Sequence, residues 1–302
     1  MSERERVTAA AFVLAVVIGG LNFVAVRYSN EQLPPFWGAT LRFGVAAALF
    51  FLLALLLRLD LPRGRALVGV LLYGALGFGA SYAFIYWGLL AAPAALASVL
   101  TSLVPLLTVV LAAMHGLERL DWRRLAGGLV AAGGIALVFV DQLGSAVPLA
   151  SLLALLAAAL CIAESGVLAK LFPRAHPVAT NAVGMSAGTA VLAALTLLTG
   201  ESRALPAAPA TWVALAYLVL VGSMGLFALY LFILGRWTAS ATSFILVFFP
   251  IITIAAGVVL RDERVSGAFV VGVAIVLGGV YLGALARGRP VAGPPPRPAI
   301  MR

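Results

Sequence analysis

The chain has 302 residues, of which 63% are apolar and 10% charged, whereas soluble globular chains are about 45–50% apolar and about 25% charged. This composition excludes an ordinary soluble enzyme, because a water-soluble domain could not bury so much apolar surface. It also excludes a disordered chain, which requires few apolar residues. The single cysteine and the two histidines predict neither a disulfide framework nor a metal site, and we expect no cofactor.

Ten stretches are long and apolar enough to cross a bilayer, which takes about 20 residues of α-helix. The stretch between Arg65 and Glu118 carries no charge and would be about 78 Å long as one helix. Because that length far exceeds the thickness of a bilayer, we expect a hairpin at Ala91-Ala92-Pro93. The predicted spans lie near 7–27, 35–57, 66–91, 94–115, 122–140, 148–171, 177–200, 209–235, 238–260 and 266–286.

The lysines and arginines predict how these spans are oriented. An even number of spans places both termini on one side, and 15 of the 20 basic residues fall on that side. By the positive-inside rule, both termini are expected in the cytoplasm. The net charge of +9 therefore indicates topology and contact with the lipid bilayer, and no nucleic acid is expected as a partner. We interpret the first span as an uncleaved anchor and residues 287–302 as a disordered cytoplasmic tail.

The two halves of the chain match at a single offset of 145 residues. Each half holds five spans, and an odd number makes the second copy enter the membrane from the opposite face. The predicted fold is an all-α membrane protein with ten transmembrane helices arranged as two inverted five-helix repeats, at 1–143 and 144–286. Inverted repeats are typical of secondary transporters, which hold substrate near the midplane. The matched pairs are Ser98–Ser243, Pro105–Pro250, Thr108–Thr253, Glu118–Glu263, Arg119–Arg264, Gly127–Gly272, Gly133–Gly278 and Gly134–Gly279.

These motifs, with the segment from Gly19 to Arg27 that reads GGLNFVAVR, resemble the ten-span EamA-domain exporters of the drug/metabolite transporter superfamily. The resemblance covers about 7–286. It implies export of small polar metabolites, often amino acids or amphiphilic drugs, by a secondary mechanism. The second repeat departs from the pattern, since Glu164-Ser165-Gly166 and Lys170 stand where the first has Gly-x-Asn and arginine.

Pro105 and Pro250 lie near the middle of the fourth and ninth spans, where proline kinks a helix and frees a carbonyl. We predict hinges or kinks at both, the alternative being static bends that only shape packing. Hydroxyl residues share a helical face with these prolines and are expected either to line a cavity or to bond neighbouring backbones. Glycines of the fifth and tenth spans are expected to allow close packing, within the chain or between subunits. The hydroxyl residues predicted to bind substrate are Ser98, Thr101, Ser102 and Ser243.

Aromatic, amide and charged residues complete the predicted site. Stacked tyrosines facing a cavity would favour aromatic or cationic substrates, although such residues also form interfacial belts. Charges inside spans are hypotheses for functional sites. Arg42 is expected to act in the site or to extend to the headgroups, and Glu164 to accept a substrate amine or carry a coupling proton. The remaining predicted substrate-binding residues are Asn22, Tyr82, Tyr86, Glu164, Ser165 and Tyr230.

The sequence favours a secondary transporter over other membrane proteins. The nucleotide-binding pattern G-x-x-x-x-G-K-[ST] and the metalloprotease pattern H-E-x-x-H do not occur in it, which argues against ATP-driven transport and against an enzyme. We expect a non-enzymatic exporter of small metabolites that works by alternating access in a bacterial inner membrane, as a monomer or homodimer. A passive facilitator or channel for small polar solutes is the alternative.

Overall fold

The computed structural model describes residues 3–117, 122, 126–131, 133–134, 137, 147–237, 242–261 and 266–285. These residues form helices and connecting turns, and no strand occurs among them. Residues 126–131 are helical as well. The helices with stated bounds are α1 (Glu3–Ser29), α2 (Pro35–Leu56), α3 (Gly64–Gly74), π1 (Ala75–Ala80), α4 (Ser81–Gly88), α5 (Ala94–Thr101), α6 (Val104–Met114), α7 (Leu149–Leu171), α8 (Pro177–Leu198), α9 (Pro209–Val219), π2 (Leu220–Gly225), α10 (Leu226–Arg236), α11 (Ile245–Arg261) and α12 (Gly267–Leu285).

Seven helical runs in the described part of the chain are long and apolar enough to cross a membrane, and α11 and α12 are shorter apolar helices. The chain is therefore a multi-pass integral membrane protein. The seven runs coincide with the first four predicted spans and with the sixth to eighth. Nine of the 19 residues of the predicted fifth span lie outside the described residues, as do Glu118, Glu263 and residues 287–302. The count of ten stays a prediction.

The helices begin and end at residues suited to those positions. Pro35, Pro177 and Pro209 are the first residues of α2, α8 and α9, where a missing amide hydrogen costs nothing. Gly116 and Gly200 follow α6 and α8 with positive φ values of 71° and 68°. Both turns form the paired backbone hydrogen bonds of a glycine C-cap, such as Leu117 N to Ala112 O at 2.8 Å.

The internal repeat is visible in the helix irregularities. The two π-helices, π1 and π2, occupy positions that correspond at the 145-residue offset, and so do α3 and α9. The fourth predicted span breaks at Ser102 and Leu103, and so forms α5 and α6, with Pro105 as the second residue of α6. In contrast, α11 runs without interruption through Pro250. The two prolines therefore shape their helices differently in this conformation.

The two halves pack reciprocally. Helix α1 packs against α11, α9 and α10 of the second half, and α7 packs against α5, α6, α3 and α4 of the first half. Helices α2 and α8, which occupy the same place in the two halves, pack along each other. Contacts that are exchanged in this way are those produced by a two-fold relation between two similar units.

Glycines bring two matched helices into close contact. A Cβ on Gly134 would lie 2.7 Å from the Val276 nitrogen, and one on Gly279 would lie 2.6 Å from the Gly127 oxygen. The contacts are thus internal and related by the same offset. Gly133 and Gly278 have nothing within 4 Å of a Cβ position, so each Gly-Gly pair contributes only its second residue to the close approach.

Candidate functional site

A cavity of about 80 Å³ lies between the two halves. Both repeats contribute to its wall, and aromatic and aliphatic side chains make up most of it. From the first half come Gly19, Asn22, Phe23, Val26, Arg42, Tyr73, Gly77, Tyr82 and Ile85, and from the second Ile162, Ser165, Leu226, Phe227, Tyr230, Ile245, Leu246 and Phe249.

Five of the residues singled out in the sequence line this central cavity: Asn22, Arg42, Tyr82, Ser165 and Tyr230. They come from helices that are distant in the chain, α1, α2, α4, α7 and α10. The fold therefore gathers the predicted amide, the predicted intramembrane cation and two predicted tyrosines into one site.

Arg42 is completely buried on α2. Its Nε donates to Ser223 Oγ at 2.8 Å and its Nη2 to the Gly222 carbonyl at 2.9 Å. The centre of the guanidinium lies 4.9 Å from the ring centroids of both Phe43 and Tyr82. The side chain is thus held inside the helix bundle. The alternative expectation, that Arg42 extends to the lipid headgroups, is not met.

Asn22 reaches the same carbonyl from α1. Its Nδ2 donates to the Gly222 oxygen at 3.2 Å, and the residue is buried. Gly222 belongs to π2, and a π-helix shifts the backbone hydrogen bonds from i+4 to i+5. Polar side chains of α1 and α2 therefore bond to a carbonyl in this irregular turn of the opposite half.

Four predicted hydroxyl residues do not line the central cavity: Ser98, Thr101, Ser102 and Ser243, all of them buried. The first three donate to carbonyls three residues earlier in their own helix, at 2.6–2.9 Å. Short hydroxyl side chains often bond the preceding turn in this way. Bonding to the backbone was the alternative role expected for these hydroxyl residues. The structure gives no support for their predicted role in binding substrate.

Glu164 and Tyr86 also lie outside the cavity wall. Glu164 Oε1 is 2.9 Å from His115 Nε2, and both side chains are partly exposed. Consecutive helical residues point about 100° apart, so when Ser165 faces the cavity, Glu164 faces α6. The proton-carrying role of Glu164 stays a prediction. Tyr86 is buried beside Arg42, one helical turn beyond Tyr82.

The aromatic wall also contains residues that are not among the predicted substrate-binding residues. Phe227 occupies the position that matches Tyr82 at the repeat offset, and the two rings pack edge to face with centroids 6.2 Å apart. Phe249 fills the space left by Gly19, whose Cβ would overlap its ring. Phe227 is recognisable from the sequence because it matches Tyr82 at the repeat offset. The contact between Gly19 and Phe249 is not, because the two residues lie on different helices and neither helix alone indicates the pairing.

A second cavity, of about 230 Å³, lies next to the first. Tyr73 lines both cavities, so its side chain stands between them. Lys170 and Arg174 line the second cavity, and the Lys170 ammonium donates to the carbonyls of Leu234 and Trp237 at the end of α10. The described residues contain no group of three potential metal ligands.

Comparisons with known proteins agree with this architecture. A family model described as the EamA-like transporter family matches residues 7–140 and 149–284. A protein named probable amino-acid metabolite efflux pump from Escherichia coli (strain K12) is 28% identical over 295 residues, covering 93% of this chain and 95% of that protein. The uncharacterized inner membrane transporter YedA of the same strain is 30% identical over 289 residues, covering 90% and 91%. A solved crystal structure with 23% identity has the same fold, with a TM-score of 0.68 over 93% of this chain and 98% of that one.

Proposed function

Because the chain belongs to the EamA-like transporter family, we propose that it is a secondary transporter that exports small metabolites by alternating access. Amino-acid metabolites are the leading substrate class, in view of the name of the similar efflux pump. The inner membrane is the proposed location, in view of the similarity to YedA.

The observation that carries this proposal is a cavity whose wall comes from both repeats. In a transporter of this kind the substrate sits between the repeats, and the repeats move against each other around it. The reciprocal packing of the halves supports such a movement. The proposal includes ten spans, inverted repeats at 1–143 and 144–286, and both termini in the cytoplasm.

Tyr73 is the proposed gate on the cytoplasmic side. The second cavity carries Lys170 and Arg174, which the positive-inside rule places toward the cytoplasm. Substrate entering from this side would pass the Tyr73 side chain before reaching the central cavity. Glu164 has no part in this proposal, because its carboxylate pairs with His115 on another side of α7.

Counterflow in proteoliposomes tests the function. We expect liposomes loaded with unlabelled L-phenylalanine to accumulate external labelled L-phenylalanine transiently above its equilibrium level. A channel would equilibrate the label without this overshoot, and an enzyme would change it chemically. Either result would contradict the proposal.

A matched pair of glycine variants links the transport to the cavity. Gly77 lines the central cavity, and a Cβ there would lie 2.9 Å from Ser165 Oγ, so Gly77→Val should reduce the counterflow rate at least tenfold. Gly278→Val adds the same side chain at an exposed position with nothing within 4 Å, and its rate should stay within about twofold of the wild type.

A further inference from the structure

The central cavity has an uncompensated positive charge. Arg42 is the charged residue in its wall, and no carboxylate of the described residues lines the cavity or forms an ion pair with the guanidinium. Burying a charged group without an opposite charge is costly. Inside a membrane, such residues commonly mark the path of a substrate.

The hydrogen bonds of Arg42 leave one donor group unused. Nε and Nη2 are occupied by Ser223 and the Gly222 carbonyl, whereas Nη1 is buried and has no hydrogen-bond partner. The hydroxyl of Tyr86 lies beside the guanidinium but outside the cavity wall. The unpaired Nη1 donors carry part of a fixed positive charge, and such donors are suited to an oxyanion such as a carboxylate.

An acceptor without a partner lies close to these donors. Asn22 Nδ2 bonds the same Gly222 oxygen as Arg42 Nη2, which brings the two side chains together, and Asn22 Oδ1 is buried and unpaired. An amide oxygen in this state accepts a hydrogen bond from an N–H or O–H group. The polar side of the cavity thus offers donors and an acceptor side by side.

The two repeats differ at this point, although their π-helices match. In π1 the Gly77 carbonyl accepts the Ser81 hydroxyl of its own segment at 2.7 Å. The residue that matches Ser81 in the second half is Leu226, which has no hydroxyl. The matching carbonyl of Gly222 is therefore left to Arg42 and Asn22, and both become fixed on one side of an otherwise apolar cavity.

We propose that this corner is a carboxylate subsite: Arg42 Nη1 binds the carboxylate of the substrate, and Asn22 Oδ1 accepts a hydrogen bond from its amine. The aromatic wall, including Phe227 and Phe249, receives the apolar part of the molecule. The exported class is then amphiphilic amino acids with a free carboxylate, and cations that lack a carboxylate are repelled by Arg42. This inference rests on the proposed function.

Competition on the wild-type protein tests the subsite without any mutation. Counterflow of labelled L-phenylalanine is measured with unlabelled L-phenylalanine, L-phenylalaninamide or phenethylamine as competitor, the last two being cations without a carboxylate. Because hydrogen bonds to charged groups are among the stronger ones, we expect the acid to compete at least tenfold better than either cation. Equal competition by the amide or the amine would overturn the subsite while leaving the transporter function intact.

Variants of Arg42 and Ser223 assign the effect to the guanidinium. Arg42→Gln should lower counterflow of the acid at least tenfold and bring the acid and the amide to within about threefold of each other as competitors. Ser223→Ala removes one contact of Arg42 but keeps its charge, and should retain the preference for the acid. If Arg42→Gln folds and keeps the tenfold preference, the subsite lies elsewhere. If it does not fold, the wild-type competition decides. If no solute shows counterflow with wild-type protein, the proposed function itself fails.

Discussion

Gly134→Leu should lower the thermal midpoint of the protein in detergent by about 2–5 °C, because overfilled packing costs about 1–3 kcal/mol. Gly134 touches backbone atoms of the matched helix, with its Cβ position 2.7 Å from the Val276 nitrogen and 2.8 Å from the Gly272 oxygen. Backbone atoms cannot rotate away as a side chain does, so the two helices must separate. Small residues are the usual means by which membrane helices approach closely.

The neighbouring glycine provides the control for this variant. Gly133 is exposed and has nothing within 4 Å of its Cβ position, so Gly133→Leu should leave the thermal midpoint within about 1 °C of the wild type. Gly279→Leu and Gly278→Leu should repeat the contrast on the other helix. Equal destabilisation by Gly133→Leu and Gly134→Leu would contradict the close contact that the structure assigns to Gly134 and the matched helix.

Phe78→Ala is the second change with a large expected effect, a loss of about 2–4 kcal/mol in the free energy of unfolding. Phe78 lies in π1 and is fully buried. Its ring contacts Phe227, Tyr73 and Phe43, with centroids 4.7, 5.2 and 5.3 Å away. In lipid the loss is one of packing, because the hydrocarbon around a separated helix is as apolar as the protein interior. The expected cost is therefore below that of a similar cavity in a soluble protein.

Phe84→Ala removes the same ring in the next helix, α4, where Phe84 is 39% exposed. We expect less than about 1 kcal/mol from this variant, because much of its ring faces the surroundings of the bundle. Denaturation of both variants in one detergent gives the comparison. Similar losses at positions 78 and 84 would mean that the aromatic cluster around Phe227 does not hold the two halves together.

The sequence predicted where the membrane spans begin and end better than it predicted which side chains face the cavity. The bounds of most spans follow from charge and apolarity. The offset of 145 residues also pairs Gly134 with Gly279, and each of these glycines contacts the backbone of the other's helix. Which residues face the cavity was harder to predict, because a membrane helix is apolar all round and shows little amphipathic pattern. Glu164 and Ser165 illustrate this. They are neighbours on one helix, yet Ser165 lines the cavity and Glu164 contacts His115 on another side of the helix.

The two π-helices were not predicted at all. Each six-residue π-helix contains two glycines but no proline, and glycines occur in many of the other spans as well, so the sequence carries no distinct signal for either. The second of them, π2, shapes the site, because its Gly222 carbonyl accepts hydrogen bonds from both Arg42 and Asn22. The hydroxyl residues near Pro105 show the opposite case. Their spacing was regular, but their own backbone satisfied the hydroxyls of Ser98 and Ser102.

The inverted arrangement of the repeats is the claim on which alternating access depends, and cysteine labelling from the two sides of the membrane tests it most directly. In a Cys161→Ser background, single cysteines replace Asp60 and Leu205, exposed loop residues that the repeat offset matches to each other. We expect an impermeant maleimide to label Asp60→Cys only from the cytoplasmic side and Leu205→Cys only from the opposite side. Labelling of both from the same side would contradict the inverted repeat and the transport mechanism proposed from it.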